Sequence, residues 1–221
     1  MYLADLKQKS LNSAEWIRLI NEKHYTPQEL AYIYCCVLTW EDYNLTDPQN
    51  LLEVTRAFLA RGMKPDEVVY DEDPYYDNYL DGRGFPSTPL LAVNDFYVDW
   101  SACAESMKCL LECGGDPNTS FEEMGMDGKP QTCIVPECYY QDVWAHGPYL
   151  DERDFYGLLL CFAYGGVYED GNRPFEMLID APPSIFKNYN GYWYEYEADS
   201  HSGPMYVIEK KTRKKVAKCF F

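Results

Sequence analysis

Cysteine is the residue type whose number and spacing in this chain come closest to a metal site. Five cysteines and one histidine lie between positions 103 and 146, namely Cys103, Cys109, Cys113, Cys133, Cys138 and His146. Zinc sites use cysteine pairs separated by about two to four residues, which two of these pairs approach. Cys109 and Cys113, however, lie one helical turn apart beside Leu110 and Leu111, which favours burial in a core. We therefore predict no metal and no cofactor.

The side chains that nucleophilic catalysis requires are present but form no recognisable motif. A serine or cysteine nucleophile needs a base that a third group holds in place. His24, His146 and His201 stand in no such arrangement. The glycine-rich phosphate loop, the dinucleotide fingerprint and the serine elbow of hydrolases are absent from the sequence. We predict that the chain is not an enzyme, and keep a hydrolase with a carboxylate or cysteine site as an alternative.

The charge of the chain is strongly negative and unevenly distributed. There are 36 acidic and 19 basic residues, a net charge of −17. Residues 210–218 hold six of the basic residues and no acid, which leaves 13 basic against 36 acidic residues elsewhere, or −23. Such a surface repels nucleic acid and attracts a basic protein. We predict a basic protein partner and no nucleic acid, the alternative being that the charge maintains solubility. We expect residues 210–218 to be a solvated hairpin tip or to pair with the acidic body, rather than to bind an acidic partner.

Length and segment composition limit the class of protein. A chain of 221 residues with 47% hydrophobic content can bury a core in one or two domains. The first residues reach Asp5 before any apolar run, and no stretch approaches the length of a membrane span. We therefore expect no export signal and no membrane contact. Nine cysteines then indicate reduced thiols in a cytoplasmic protein. The sequence does not predict the oligomeric state.

Residues 88–118 have the pattern of two helices followed by a left-handed stop. Thr88 is a suitable cap for the first helix, and Pro89 suits its first turn, where the N–H has no helical partner. Gly114 or Gly115 ends the second helix, because glycine adopts a positive φ without a steric clash. Proline at position 117 then prevents the helix from resuming.

This stretch resembles an ankyrin repeat. Thr88, Pro89 and Leu90 match the start of the family signature T-P-L-H-x-A, with Leu91 in place of the histidine and Val93 in place of the alanine. The family's ending, L-L-x-x-G-x-D-x-N, is matched at Leu110, Leu111, Gly114, Asp116 and Asn118. The resemblance implies a solenoid of helix pairs. It also implies that partner proteins bind to the fingers between repeats and to the first helices.

Helix signals before this stretch extend the pattern towards the N-terminus. Residues 13–20 form an amphipathic run, which predicts a leading helix that caps the array. Residues 26–29 are a capping box with proline at the first helical position. Asp47 and Pro48 repeat the cap-then-proline pattern and predict another helix, which stops at Gly62.

Glycine stops recur at a nearly constant interval. Gly62, Gly114 and Gly165 lie 52 and 51 residues apart, which indicates an internal repeat. This period exceeds that of the ankyrin family, so insertions must lie in the loops. We predict that a third repeat starts near residues 132–134, with its second helix at 149–163. A final short helix is predicted at 174–179.

The longest insertion, residues 66–84, has the position of a finger between two repeats. Its predicted partner-binding residues are Asp71, Asp73, Tyr75, Tyr76, Asp77 and Tyr79. Tyrosine offers a large amphipathic contact surface and is enriched at protein interfaces. The alternatives are a solvated loop and a calcium loop, the latter disfavoured because several EF-hand ligand positions are unmatched. A second polar finger follows, with Glu122, Glu123 and Asp127.

Composition changes at Pro182, after which three segments favour strands. These segments are residues 192–198, 205–209 and 216–221, with a turn at 211–214. They predict a three-stranded antiparallel meander that covers the last repeat.

The predicted fold is mostly α. It is an ankyrin-like helical repeat solenoid with long inter-repeat fingers and a small C-terminal antiparallel β-meander. Residues 1–181 would hold the leading helix and about three repeats, and residues 182–221 the β-rich cap.

The predicted function is that of a non-catalytic protein-binding module of ankyrin type, which binds a basic partner through its acidic, tyrosine-rich fingers. A narrower hypothesis is an immunity protein that neutralises a basic toxin, as some small acidic ankyrin-like proteins do. A different alternative is a self-associating structural protein, whose C-terminal strands pair edge to edge.

Overall fold

The chain folds into helices and small antiparallel sheets, which form two compact units, Met1–Ile134 and Val135–Phe221. The computed structural model describes residues 10–38, 44–71, 85–93, 100–124, 129–134, 157, 160, 161, 163–166, 176, 177, 192–196 and 205–219. The predicted domain boundary between residues 181 and 182 lies outside these residues and stays a prediction.

The described part of the first unit consists of two helix pairs, a leading helix and two hairpins. Its helices are α1 Ser13–Glu22, α2 Pro27–Val37, α3 Leu51–Ala60, α4 Pro89–Ala92 and α5 Trp100–Glu112, with a 3-10 helix at Pro48–Asn50. Its strands are β1 Val69–Asp71, β2 Phe85–Ser87, β3 Ser120–Met124 and β4 Pro130–Ile134. Strand β1 pairs with β2, and β3 pairs with β4, both antiparallel.

The first two helices begin at capping boxes, of which the sequence predicts the one at residues 26–29. The Asn12 side chain accepts a hydrogen bond from the Glu15 N–H at 2.9 Å, and the Glu15 carboxylate accepts one from the Asn12 N–H at 3.0 Å. Thr26 and Glu29 make the same reciprocal pair at the start of α2, at 3.2 and 2.7 Å. Both predicted helix starts are confirmed, because each box supplies acceptors for N–H groups that lack a helical partner.

The prediction that Asp47 caps the helix after it is wrong. Its side chain makes no capping bond to the 3-10 helix that follows. Instead it accepts hydrogen bonds from the Ser13 N–H at 2.7 Å, the Ser13 hydroxyl at 2.6 Å and the Asn50 amide at 2.9 Å. Asp47 therefore ties the start of α1 to the segment that leads into α3, a long-range contact that a local pattern does not reveal.

The core of the first unit lies between the faces of α2, α3 and α5. One apolar face of α2 is buried, and its members are Leu30, Ile33, Tyr34, Val37 and Leu38. The Tyr34 hydroxyl lies 2.7 Å from the Thr55 hydroxyl, which donates to the Leu51 carbonyl at 2.8 Å. The Tyr34 and Phe58 rings meet edge to face, with centroids 5.3 Å apart. Since the Thr55 hydroxyl gives its proton to the Leu51 carbonyl, the Tyr34 hydroxyl is the donor to Thr55. Burial raises the pKa of Tyr34, so this hydroxyl stays protonated.

The two helix pairs stack in the same order. Helix α2 packs on α4, and α3 packs on α5, so first helices contact first helices and second helices contact second helices. The Leu90 N–H donates to the Pro65 carbonyl at 3.1 Å, which links the start of the second pair to the turn after the first. This like-on-like stacking is the arrangement that repeat proteins use to bury a continuous core.

All three predicted glycine stops have the same left-handed geometry. Gly62, Gly114 and Gly165 have φ values of +96°, +94° and +89°. The N–H one residue later reaches back to a helix carbonyl in each case: Met63 to Phe58 at 3.1 Å, Gly115 to Leu110 at 3.1 Å and Gly166 to Cys161 at 2.7 Å. This is the Schellman pattern of helix termination. At the second stop, Gly114 rather than Gly115 is the left-handed residue.

The second unit contains a four-stranded antiparallel sheet in the order β5-β8-β7-β6. Its strands are β5 Glu176–Met177, β6 Tyr192–Tyr196, β7 Met205–Glu209 and β8 Lys215–Cys219. Strands β6, β7 and β8 pair in sequence, which confirms the predicted meander. The helix predicted at 174–179 is wrong, because Glu176 and Met177 form a strand on the free edge of β8. In such a short segment, tertiary pairing outweighs helix propensity.

We predict that the glycines of the second stop differ in their tolerance of alanine. Gly114→Ala and Gly62→Ala should each destabilise the protein by about 1 kcal/mol, because a Cβ has open space but φ is positive. Gly115→Ala should cost about 2 kcal/mol, because its Cβ would lie 3.0 Å from the Pro65 Cβ and 3.1 Å from the Leu110 carbonyl oxygen. Urea unfolding measures the difference. Gly114→Asn serves as the control, since asparagine tolerates this backbone region, and an equally costly Gly114→Asn would contradict the assignment.

We also predict that Asp47 makes stability depend on pH. Burial opposes its ionisation, but hydrogen bonds from Ser13 and Asn50 outweigh that effect and lower the pKa of the carboxyl below its usual value. Its contribution is therefore present above the unfolded-state pKa and is lost as the pH falls through the lower folded-state pKa. Asp47→Asn should reduce the free energy of unfolding by about 1–2 kcal/mol at neutral pH.

The difference in free energy of unfolding between Asp47→Asn and the unchanged protein should become smaller in acid, below about pH 3. Urea unfolding at both pH values tests this. Glu105→Gln is the control, because Glu105 is an exposed residue of α5 and its replacement should have little effect at either pH. If Asp47→Asn lowers the free energy of unfolding equally at neutral and acid pH, the ionised form of Asp47 is not what stabilises the fold.

Candidate functional site

The first hairpin forms the base of the predicted acidic finger. Val69 pairs with Ser87, Tyr70 with Pro86 and Asp71 with Phe85, so residues 72–84 connect the two strands. Asp71 is the last residue of β1. The other predicted binding residues, Asp73, Tyr75, Tyr76, Asp77 and Tyr79, lie outside the described residues. The structure thus places one of the six and defines the strand ends between which the other five are held.

Both ends of this hairpin are fixed by the helix pairs beside it. Val69 is 4% exposed and anchors β1 in the core. Thr88 follows β2 directly, is fully buried, and accepts a hydrogen bond from the Leu91 N–H at 3.0 Å to cap α4. Pro89 is the first residue of α4, and Leu90 is fully buried. The residues of the T-P-L motif therefore set where the finger ends and the next helix begins.

The second hairpin follows the second glycine stop. Leu110 and Leu111 are buried in α5 ahead of Gly114. The Asp116 carboxylate then accepts a hydrogen bond from the Asn118 N–H at 2.8 Å, which turns the chain towards β3. Asp116 and Asn118 are thus turn residues at the base of this finger.

Strands β3 and β4 pair over five residues, from Ser120 opposite Ile134 to Met124 opposite Pro130. Phe121 and Cys133 face each other and are both buried, whereas Glu122 on the other face is exposed. The third repeat was predicted to start near residues 132–134, but these residues belong to β4.

The two hairpins lie side by side, because β2 contacts β3. Both carry an excess of acid. Residues 66–84 contain seven acidic residues and one basic residue, and residues 120–134 contain three acidic residues and one basic residue. Adjacent hairpins with charges of one sign add their potentials.

The cysteines that could bind a metal divide into buried and accessible thiols. Cys103 and Cys133 are buried, Cys109 is half-buried and Cys113 is exposed. Core burial therefore fails to explain Cys113. Burial raises the pKa of the Cys109 thiol, and the neighbouring Cys113 adds to that effect, against the opposing charge of Arg56.

The described side chains offer little to metal or acid–base chemistry. Within the described ranges, no three His, Cys, Asp or Glu side chains converge as metal ligands would. Cys138 and His146 lie outside those ranges, as does His201. His24 is exposed at the end of α1.

No helix among the described residues combines the length and the apolar character that crossing a membrane requires. Comparisons of the chain with protein-family models, with curated proteins and with solved structures give no match.

Proposed function

We propose that this chain is a non-catalytic protein-binding module, a divergent repeat protein of ankyrin type, which binds a basic partner protein through its acidic, tyrosine-rich fingers. The observation that carries the proposal is the β1–β2 hairpin. It joins the first helix pair to the second and has the acid- and tyrosine-rich residues 72–84 as its connecting segment.

The repeat architecture in this proposal is supported by order and by stacking. A helix pair, a glycine stop and an antiparallel hairpin occur twice in succession, as α2–α3 with β1–β2 and as α4–α5 with β3–β4. Like helices stack on like helices, and the hairpins are neighbours. The ankyrin assignment adds the T-P-L start at Thr88 and the L-L-x-x-G-x-D-x-N ending at Leu110.

The chemistry of the fingers supports a basic partner. Acidic side chains accelerate association with a cationic surface, an effect that salt screens. Tyrosines add buried contact area and a hydroxyl, and they commonly account for the slow dissociation of protein complexes. A finger that combines both residue types can therefore steer a basic protein into contact and then retain it.

We place the protein in the cytoplasm as part of the same proposal. Cys109, Cys113 and Cys161 are present as thiols. A reducing compartment preserves exposed thiols such as Cys113, whereas an oxidising one converts them to disulfides.

The proposal predicts that finger charge controls the rate of association. The partner is first captured from a lysate of the native host at low salt. The variant Asp71→Asn/Asp73→Asn/Asp77→Asn keeps side-chain size but removes three charges, and it should slow association with that partner by about two- to tenfold at low salt. The dependence of the association rate on salt should also flatten. Surface plasmon resonance measures both quantities.

A matched control separates local charge from net charge. The variant Glu22→Gln/Glu53→Gln/Glu105→Gln removes three exposed carboxylates from α1, α3 and α5 and leaves both fingers intact. It should slow association much less than the finger variant. Equal slowing by the two variants would exclude the first finger as the binding site. Failure to capture any basic protein at low salt would count against the proposed partner class.

A further inference from the structure

The turn between β7 and β8 is a cationic surface on an otherwise acidic chain. Five basic side chains occur within residues 210–215, and all five are exposed: Lys210, Lys211, Arg213, Lys214 and Lys215. The acidic residue nearest in sequence, Glu209, accepts a hydrogen bond from the Thr212 hydroxyl and so is engaged within the turn. We call this set of five residues the basic tip.

The basic tip has a defined backbone. The Arg213 N–H donates to the Glu209 carbonyl at 2.8 Å, and the Glu209 N–H donates to the Lys214 carbonyl at 3.0 Å. The Lys214 N–H also approaches the Thr212 hydroxyl at 3.3 Å. Because these bonds close the turn from both sides, little backbone order has to be gained when a ligand binds.

Arg213 has a backbone conformation that is unfavourable for a residue other than glycine. Its φ is +59°, the left-handed region in which glycine or asparagine is usual. Among the described residues it is the one non-glycine residue with a positive φ. A glycine here would relieve the strain, so the turn carries a cation at the expense of stability. Strain of this kind is characteristic of functional positions.

We propose that the basic tip is a second docking site, one that binds a short acidic segment of a protein. This inference goes beyond the proposed function, because it gives the chain a surface of opposite charge that binds a different class of partner. A chain that held a basic protein at its fingers and an acidic segment at the basic tip would act as an adaptor between the two.

A short carboxylate segment fits this surface better than an extended polyanion does. Outside residues 210–218 the chain has 13 basic and 36 acidic residues, which repel the continuous charge of nucleic acid. Four of the five cations are lysines, each a compact point charge that pairs with a single carboxylate. The Lys215 ammonium lies 3.4 Å from the centre of the Tyr206 ring. This cation–π contact holds Lys215, the last residue of the basic tip, in place.

The test uses a fluorescently labelled peptide of five glutamates and its five-glutamine counterpart with the full chain. Fluorescence anisotropy should detect binding of the glutamate peptide at low salt, weakened by added salt, and no binding of the glutamine peptide. The variant Lys211→Gln/Lys214→Gln should weaken binding by about threefold to tenfold. The matched control Arg18→Gln/Lys23→Gln, which removes two exposed cations from α1 and its end, should leave the affinity unchanged.

Arg213→Gly separates a binding role from a structural one. It should weaken peptide binding about twofold to fivefold while the midpoint of thermal unfolding stays the same or rises. A lowered midpoint would mean that Arg213 stabilises the turn, and it would contradict the claim that its positive φ costs stability.

Absence of glutamate-peptide binding at low salt would overturn the proposal, as would an equal loss of affinity in the α1 control. Tighter binding of a five-nucleotide oligothymidine than of the glutamate peptide would assign the basic tip to phosphate and likewise overturn it. These results are independent of the fingers, so the Asp71→Asn/Asp73→Asn/Asp77→Asn variant should bind the glutamate peptide normally.

Discussion

The left-handed glycine stop, which ends α3 and α5 and recurs after Cys161, is the constraint on which the remaining structure depends. The carbonyl groups of Phe58, Leu110 and Cys161 belong to fully buried residues of helical backbone, a few positions before each glycine. A buried carbonyl without a donor is costly, and a donor from five residues later can reach it only if the intervening residue is left-handed. Glycine meets that requirement at positions 62, 114 and 165. The two stops in the first unit also direct the chain out of its helix towards a hairpin.

Contacts among the helices fix the position of the first hairpin. The Tyr34 hydroxyl bonds to Thr55 in a region without water access, which fixes the rotation of α2 against α3. At the other side, Asp47 joins the start of α1 to the segment before α3. Since the buried Tyr34–Thr55 contact has few alternative partners, it selects one arrangement of α2 and α3. The strands of the first hairpin begin and end on this framework, with Val69 and Thr88 both in the core.

Sequence reasoning succeeded where a short local pattern determines the structure. The capping box at Thr26, the left-handed glycines and the alternating strands each depend on residues only a few positions apart. It failed where the structure of a segment depends on residues that are distant in the sequence. Asp47 has a cap-like sequence context, but its ligands come from Ser13 as well as Asn50. The segment at 176–177 became a strand because β8 offered an unpaired edge.

The candidate sites were predictable to different degrees. An acidic, tyrosine-rich finger between two helix pairs could be predicted from composition and position, whereas its strands could not, since β1 and β2 are only three residues long. The basic cluster was visible in the sequence. Its preorganised backbone and the positive φ of Arg213 were not, because no glycine or asparagine marks that position.

The central claim is that the first finger contacts a basic protein, and amide hydrogen exchange tests it most directly. Exchange would be compared for the chain alone and for its complex with the captured partner, with mass spectrometric coverage of residues 66–134. Protection on binding should be concentrated in residues 69–87, with a smaller effect in residues 120–134. Protection confined to α1, or to the strands of the second unit, with residues 69–87 unchanged, would contradict it.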